Sequence, residues 1–276
     1  MKRFVLGFAL VVLATVLADV ALAQGGTLRI GMTASDIPYT GGQADNGFEG
    51  LRFVGYQIYE PLINWDLTRG DRLAMPTPGL AESWAVKKDN PLVWTFKLRK
   101  GVTFHDGSPF NADAVVFTFE SVKQKDAPHF DRVGASNTGF RISLIRSVRK
   151  IDDHTVEFES TKPSSFVPYQ LLYVMMVSPA HWTKVGKDWR KYAESPSGTG
   201  PFKVTRFVPR ERLELEVNKA YWNPKRMPKV DKLVLLPMPE PTTRLAALRS
   251  GQVDWIEVPP PDSIAPLKAQ GFEIVT

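Results

Sequence analysis

Apolar and polar side chains alternate along Trp94-Thr95-Phe96-Lys97-Leu98, the pattern of a strand with one face buried. Arg99-Lys100-Gly101 follows as a tight connection in which Gly101 is free to take a positive φ, and Val102-Thr103-Phe104 then reads as the second short strand of a hairpin. His105-Asp106-Gly107-Ser108-Pro109 has the composition of a turn. Asn111 is placed to cap a helix whose apolar positions Val115, Val116, Phe119 and Val122 recur at helical spacing on one face. The segment is predicted to run hairpin, turn, capped helix.

The same patterns order the rest of the chain. Thr27-Leu28-Arg29-Ile30-Gly31-Met32 alternates as a strand, residues 33–50 form a polar, glycine-rich loop, and residues 53–59 read as helical before Glu60-Pro61-Leu62. From residue 62 to about 173 short alternating strands dominate, Thr155-Val156-Glu157-Phe158 among them. A second set follows Gly200: Phe202-Lys203-Val204, Leu213-Glu214-Leu215-Glu216-Val217 and Leu233-Val234-Leu235-Leu236. A helix from about Thr242 to Arg249 ends at Gly251, which is placed for the left-handed conformation of a helix end, and a strand from Val253 to Ile256 comes next. Strands and helices mixed without regular βαβ alternation indicate α+β or mixed α/β, and 276 residues permit one or two folding units.

At the N-terminus, Lys2 and Arg3 precede a nearly unbroken apolar run from Phe4 to Ala18, and Ala21-Leu22-Ala23 supplies the small residues a signal peptidase reads. Residues 1–23 are therefore expected to be a signal peptide cleaved before Gln24. Asp19 interrupts the run before it reaches the roughly 18 apolar residues that a membrane anchor requires. The chain has no cysteine, which excludes thiol catalysis, thiolate metal sites and a lipid-anchored N-terminal cysteine. These features point to a secreted, periplasmic protein.

Removal of Lys2, Arg3 and Asp19 with the signal leaves +5 of the formal net charge of +6. The basic residues are interspersed with acidic ones, as in Lys87-Lys88-Asp89 and Lys123-Gln124-Lys125-Asp126, and no RNA-binding or zinc-finger pattern accompanies them, so nucleic acid is not an expected partner.

Candidate chemistry is sparse. His105, His129, His154 and His181 are widely spaced without metal-ligand spacing, and turns account for His105-Asp106 and for His154. Ser197-Gly198-Thr199-Gly200 lacks the Gly-Lys-Ser/Thr ending of a phosphate loop and reads as glycines admitting a strand. No Gly-x-Ser-x-Gly elbow occurs. No metal, cofactor or catalytic residue is expected. Trp84, Trp94, Trp222 and Trp255 sit in apolar patterned segments and read as core. Residues 36–52 differ, because no periodic pattern would bury their aromatic and charged side chains.

Leu80-Ala81-Glu82-Ser83-Trp84, Trp94-Thr95-Phe96 and Phe104-His105-Asp106-Gly107 resemble, in order and spacing, the signature region of the family 5 extracellular solute-binding proteins of bacterial ABC importers. Pro196-Ser197-Gly198-Thr199-Gly200-Pro201-Phe202, Asn218-Lys219-Ala220-Tyr221-Trp222, Thr243-Arg244-Leu245-Ala246-Ala247-Leu248 and Ser250-Gly251-Gln252-Val253-Asp254 resemble later blocks of that family.

The resemblance implies the first lobe of a two-lobed periplasmic binding protein fold. Residues 24–60 and 182–276 would form its core subdomain and residues 61–181 the additional subdomain of the peptide-binding group. The second lobe would lie beyond the sequence. Phe48, Glu49 and Arg52 fall where family members contribute first-lobe contacts to the cleft, and His129 and Phe130 occupy another region that can face ligand. The implied function is non-enzymatic: capture of a small solute, with peptides as the default and sugars, opines or nickel chelates as alternatives, for delivery to the membrane subunits of an ABC permease. A non-transporting fragment or interaction protein, and more remotely a secreted hydrolase, are the competing readings.

Overall fold

A computed structural model describes residues 25–44 and 49–275; the signal-peptide expectation for residues 1–23, and Phe48, lie outside the described residues. The described strands are β1 (Thr27–Met32), β2 (Ile63–Trp65), β3 (Pro76–Pro78), β4 (Ala81–Lys87), β5 (Asn90–Leu98), β6 (Ile145–Asp152), β7 (Thr155–Ser160), β8 (Phe202–Val208), β9 (Arg212–Val217), β10 (Lys232–Pro237) and β11 (Trp255–Ile256). A five-stranded mixed sheet runs β11-β1-β10-β9-β8, a four-stranded sheet runs β4-β5-β7-β6, and β2 pairs with β3. The fold is mixed α/β.

In the five-stranded sheet β1 lies parallel to β10 with Ile30 opposite Leu235, and parallel to β11 with Gly31 opposite Ile256. Alternation sends Ile30, Met32, Leu213, Leu215, Leu233 and Leu235 to one core, where Phe53, Val54 and Ile58 of the helical segment Gly50–Gly55 and Tyr56–Ile58 cover them. Ala247 and Leu248 of the helix Pro241–Arg249 pack with Val253 and Ile256 in a separate cluster. Gly251 takes a φ of 73° beyond the end of that helix, as its position predicts.

The four-stranded sheet is antiparallel and builds its own core. Phe96 meets Phe158 edge to face with ring centroids 5.2 Å apart, and Phe119 of the helix Ala112–Lys123 meets the same ring at 4.7 Å. Asn111 caps that helix, its side chain accepting from the Ala114 backbone N–H at 3.2 Å.

The expected hairpin does not form. β5 has β4 on one edge and β7 on the other, so Val102-Thr103-Phe104 finds no free edge to pair with. Gly101 does take a positive φ of 76°. The chain after it closes on itself around the Asp106-Gly107 turn, with the Phe104 N–H donating to the Ser108 carbonyl and the Phe110 N–H to the Val102 carbonyl.

The loop after β1 also departs from expectation, because Ile37 and residues 40–44 are buried. Hydrogen bonds rather than periodicity hold it there: Tyr59 donates its hydroxyl to the Thr40 carbonyl at 2.6 Å, and Gln43 donates to the Met175 carbonyl at 2.7 Å. Val174 and Met176 belong to the core under the four-stranded sheet, whereas Met175 and Val177 belong to that under the five-stranded sheet. This extended segment is thus the shared wall of the two cores.

Candidate functional site

The recognisable sequence blocks meet in space and act as scaffold. The His105 N–H donates to the Gly198 carbonyl at 2.8 Å, and His105 Nε2 donates to the Gly200 carbonyl at 2.9 Å, which also accepts from Asn218 Nδ2 at 3.1 Å. Burial pushes the His105 imidazole down to about 4, so the ring is neutral at ordinary pH. The glycines of Ser197-Gly198-Thr199-Gly200 serve close approach: a Cβ on Gly198 would sit 2.1 Å from the Ile58 carbonyl oxygen.

Glu60 collects the remaining blocks. Its buried carboxylate accepts from Thr199 Oγ1 at 2.9 Å, the Tyr221 hydroxyl at 2.7 Å and Trp222 Nε1 at 2.6 Å. Trp84, Trp94 and Trp222 pack half-buried against the core of the four-stranded sheet and Trp255 against that of the five-stranded sheet, so the tryptophans border the cores rather than filling them.

Charge gathers elsewhere, at the carboxyl ends of the parallel strands β1, β10 and β11, the place where open α/β sheets leave a crevice for ligands. Arg244, buried on the helix Pro241–Arg249, ties the two outgoing chains together: Nη1 donates to the carbonyls of Met238 at 2.6 Å and Pro239 at 2.7 Å, and Nε to that of Glu257 at 3.2 Å. Glu257 follows β11 directly. Its side chain is nine-tenths buried, Oε1 pairs with the exposed guanidinium of Arg52, and Oε2 has no hydrogen-bond partner among the described residues.

Glu49 faces Glu257 and uses Oε1 to accept from the Thr33 backbone N–H at 3.0 Å, fixing the chain as it leaves β1. Burial first, and then the neighbouring Glu49 carboxyl, push Glu257 up to about 7, against the opposing pull of Arg52 and Arg244. The Glu257 carboxyl therefore titrates close to neutral pH. The next residue, Val258, is exposed and holds a φ of 44°, a strained conformation for a β-branched side chain.

Of the residues singled out from the sequence, Glu49 and Arg52 meet at this mouth. His129 lies in an aromatic cluster: its ring stacks on Phe117 with centroids 4.2 Å apart, its carbonyl accepts from Trp189 Nε1 at 3.0 Å, and Nε2 stands 3.5 Å from Glu120. Burial lowers its pKa. Phe130 is half-buried beside it, its N–H donating to the Ala127 carbonyl at 2.9 Å. Arg244 and Glu257 were not singled out. Arg244 carried a readable signal, since it shares the i, i+3, i+4 face of Ala247 and Leu248 and is a lone charge on an otherwise apolar stripe.

The model of the bacterial extracellular solute-binding proteins, family 5 (middle), matches residues 75–275. The chain is 29% identical to a dipeptide-binding protein of Escherichia coli over 90% of its own length and 51% of the relative's. A dipeptide-binding protein from Pseudoalteromonas in complex with Met-Leu superposes with a TM-score of 0.76 at 26% identity, over 88% of this chain and 49% of that one. A periplasmic binding protein from Helicobacter pylori in complex with the peptide STSA gives 0.75 at 26% identity, over 89% and 49%. The chain thus spans about half the length of these relatives. No helix of the described residues is long and apolar enough to cross a membrane. Fold, motif blocks and family match agree that the chain belongs to the family 5 bacterial extracellular solute-binding proteins.

Proposed function

We propose that this chain supplies the solute-capturing first lobe of an extracytoplasmic receptor for an ABC importer, and that its solute is a short peptide. The observation that carries this reading is the mixed-charge mouth at the carboxyl ends of β1, β10 and β11, in a family with dipeptide-binding relatives. A short peptide carries one ammonium and one carboxylate. The Glu49–Glu257 pair offers acceptors to the first, and the exposed guanidinium of Arg52 offers a fork to the second. Arrival of the ammonium favours the charged form of Glu257 and so displaces its proton.

In this reading residues 24–60 and 182–276 form the core subdomain of the lobe and residues 61–181 the additional one. A matching second lobe closes over the mouth about the segment that follows Glu257, expelling water and presenting a closed surface to the permease. Export by residues 1–23 delivers the protein to the periplasm. N-terminal sequencing of periplasmic material should begin at Gln24, and an intact Met1 in the membrane fraction would contradict export by cleavage.

The solute is tested by calorimetric titration of Met-Leu and Ala-Ala into this chain alone and into the chain joined to a relative's second lobe. One lobe encloses half of the solute, so the lone chain should bind weakly or not at all and the joined form at about micromolar affinity. Arg52→Ala should remove most of that binding. A folded joined form that ignores di- to tetrapeptides but binds an opine or a sugar would replace the solute class.

A further inference from the structure

A cavity of about 700 Å³ opens between the helical segment Tyr56–Ile58 and β2, on a scale suited to a small molecule. Leu51, Tyr56, Trp65 and Tyr173 give it a mainly apolar, aromatic wall. Two cations stand at this wall, Arg52 and Arg141, and no acidic side chain lines it. Arg141 is held by rings rather than by an acid, its guanidinium carbon 4.7 Å from the Tyr173 ring centroid and 5.1 Å from that of Phe140. Among the described residues it has no ion-pair partner, whereas Arg52 is engaged by Glu257. Leu67 and Phe140 leave apolar surface exposed nearby, 74% and 64% accessible.

We propose that this cavity is a second binding site, for a small aromatic carboxylate, with its ring among Tyr56, Trp65 and Tyr173 and its carboxylate on Arg141. Flat rings gain most from an aromatic-walled void through offset and edge contacts. A guanidinium already oriented by stacking presents its fork to a carboxylate at little entropic cost, and the apolar wall strengthens the attraction. The same wall selects against other ligands. A cation meets two like charges, and a peptide's ammonium finds no acidic partner there. The site adjoins the Glu49–Glu257 mouth, with Arg52 between the two, but its assignment rests on Arg141 and the aromatic wall and does not depend on that reading.

Calorimetry with naphthalene-2-carboxylate and its neutral, near-isosteric amide tests the assignment on the chain as it stands. The carboxylate should bind saturably at one site and about tenfold or more tighter than the amide, the difference expected of one charge-assisted contact. Arg141→Gln should abolish that preference while leaving amide binding in place, and Ala74→Phe, which fills the cavity from its wall, should abolish both. Circular dichroism melts verify that the variants are folded. Equal affinity for acid and amide, a preference that survives Arg141→Gln, or no saturable binding below about 1 mM would overturn the site.

Discussion

Tyr221 donates its hydroxyl proton to Glu60 Oε1 at 2.7 Å across 161 residues of chain. Glu60 is 2% exposed, and its other oxygen accepts from Trp222 Nε1 and Thr199 Oγ1. Burial raises the pKa of this carboxyl while the three hydrogen bonds pull it back. Truncation would strand all three donors in a site closed to water. Glu60→Ala should therefore destabilise by about 3 kcal/mol or more, and Tyr221→Phe by about 1 to 2 kcal/mol. Urea denaturation measures both, and a loss under about 1 kcal/mol for Glu60→Ala would mean that water replaces the carboxylate.

Phe96 is fully buried in β5 between the rings of Trp84 and Phe158. Phe96→Ala should cost about 3 to 5 kcal/mol, as for other buried aromatics. A cost below about 0.5 kcal/mol, the range of surface substitutions, would show that this face of the sheet is solvated.

His105 makes stability depend on acid. In the unfolded chain its imidazole titrates near 6.5, whereas burial holds it at about 4 in the fold. Between those values the unfolded chain binds a proton that the folded chain excludes, so this contribution falls as pH drops through the window and levels off below it. The loss amounts to at most about 3 kcal/mol. Stability measured from pH 7 to pH 4 should decline more steeply for the parent than for His105→Asn, and parallel slopes would refute the buried neutral ring.

At Val258 the strain is separable from packing, because the side chain is 70% exposed while φ is 44°. Val258→Gly should stabilise by about 0.5 to 1 kcal/mol, relief of the left-handed strain outweighing the added freedom of the unfolded chain. Val258→Pro, which fixes φ near −65°, should destabilise. Thermal melts of the two variants should move in opposite directions, and a destabilised Val258→Gly would mean that the backbone there is not strained.

Strands with clean alternation were legible, β1 and the Trp94–Leu98 half of β5 most of all, because burial of one sheet face writes a period of two into the sequence. Val102-Thr103-Phe104 was misread because local pattern cannot tell whether a neighbouring strand edge is already taken by β4 and β7. The buried loop around Thr40 and Gln43 was illegible for a different reason, since single hydrogen bonds to Tyr59 and Met175 hold it and leave no periodic trace. At the mouth, Glu49 and Arg52 had been singled out only through resemblance. Glu257 stayed hidden because its partners lie about 200 residues away in sequence.

The segment Val174 to Val177 gives neighbouring residues to different cores, and its amides are spoken for from several directions: Met175 by Gln43 Oε1, Met176 by the Glu60 carbonyl and Val177 by Thr118 Oγ1. Neither sheet can open without pulling this thread from the other. The two sheets should therefore form a single cooperative unit, melting in one calorimetric transition, with the Met175, Met176 and Val177 amides among the slowest to exchange with deuterium and released only by global unfolding.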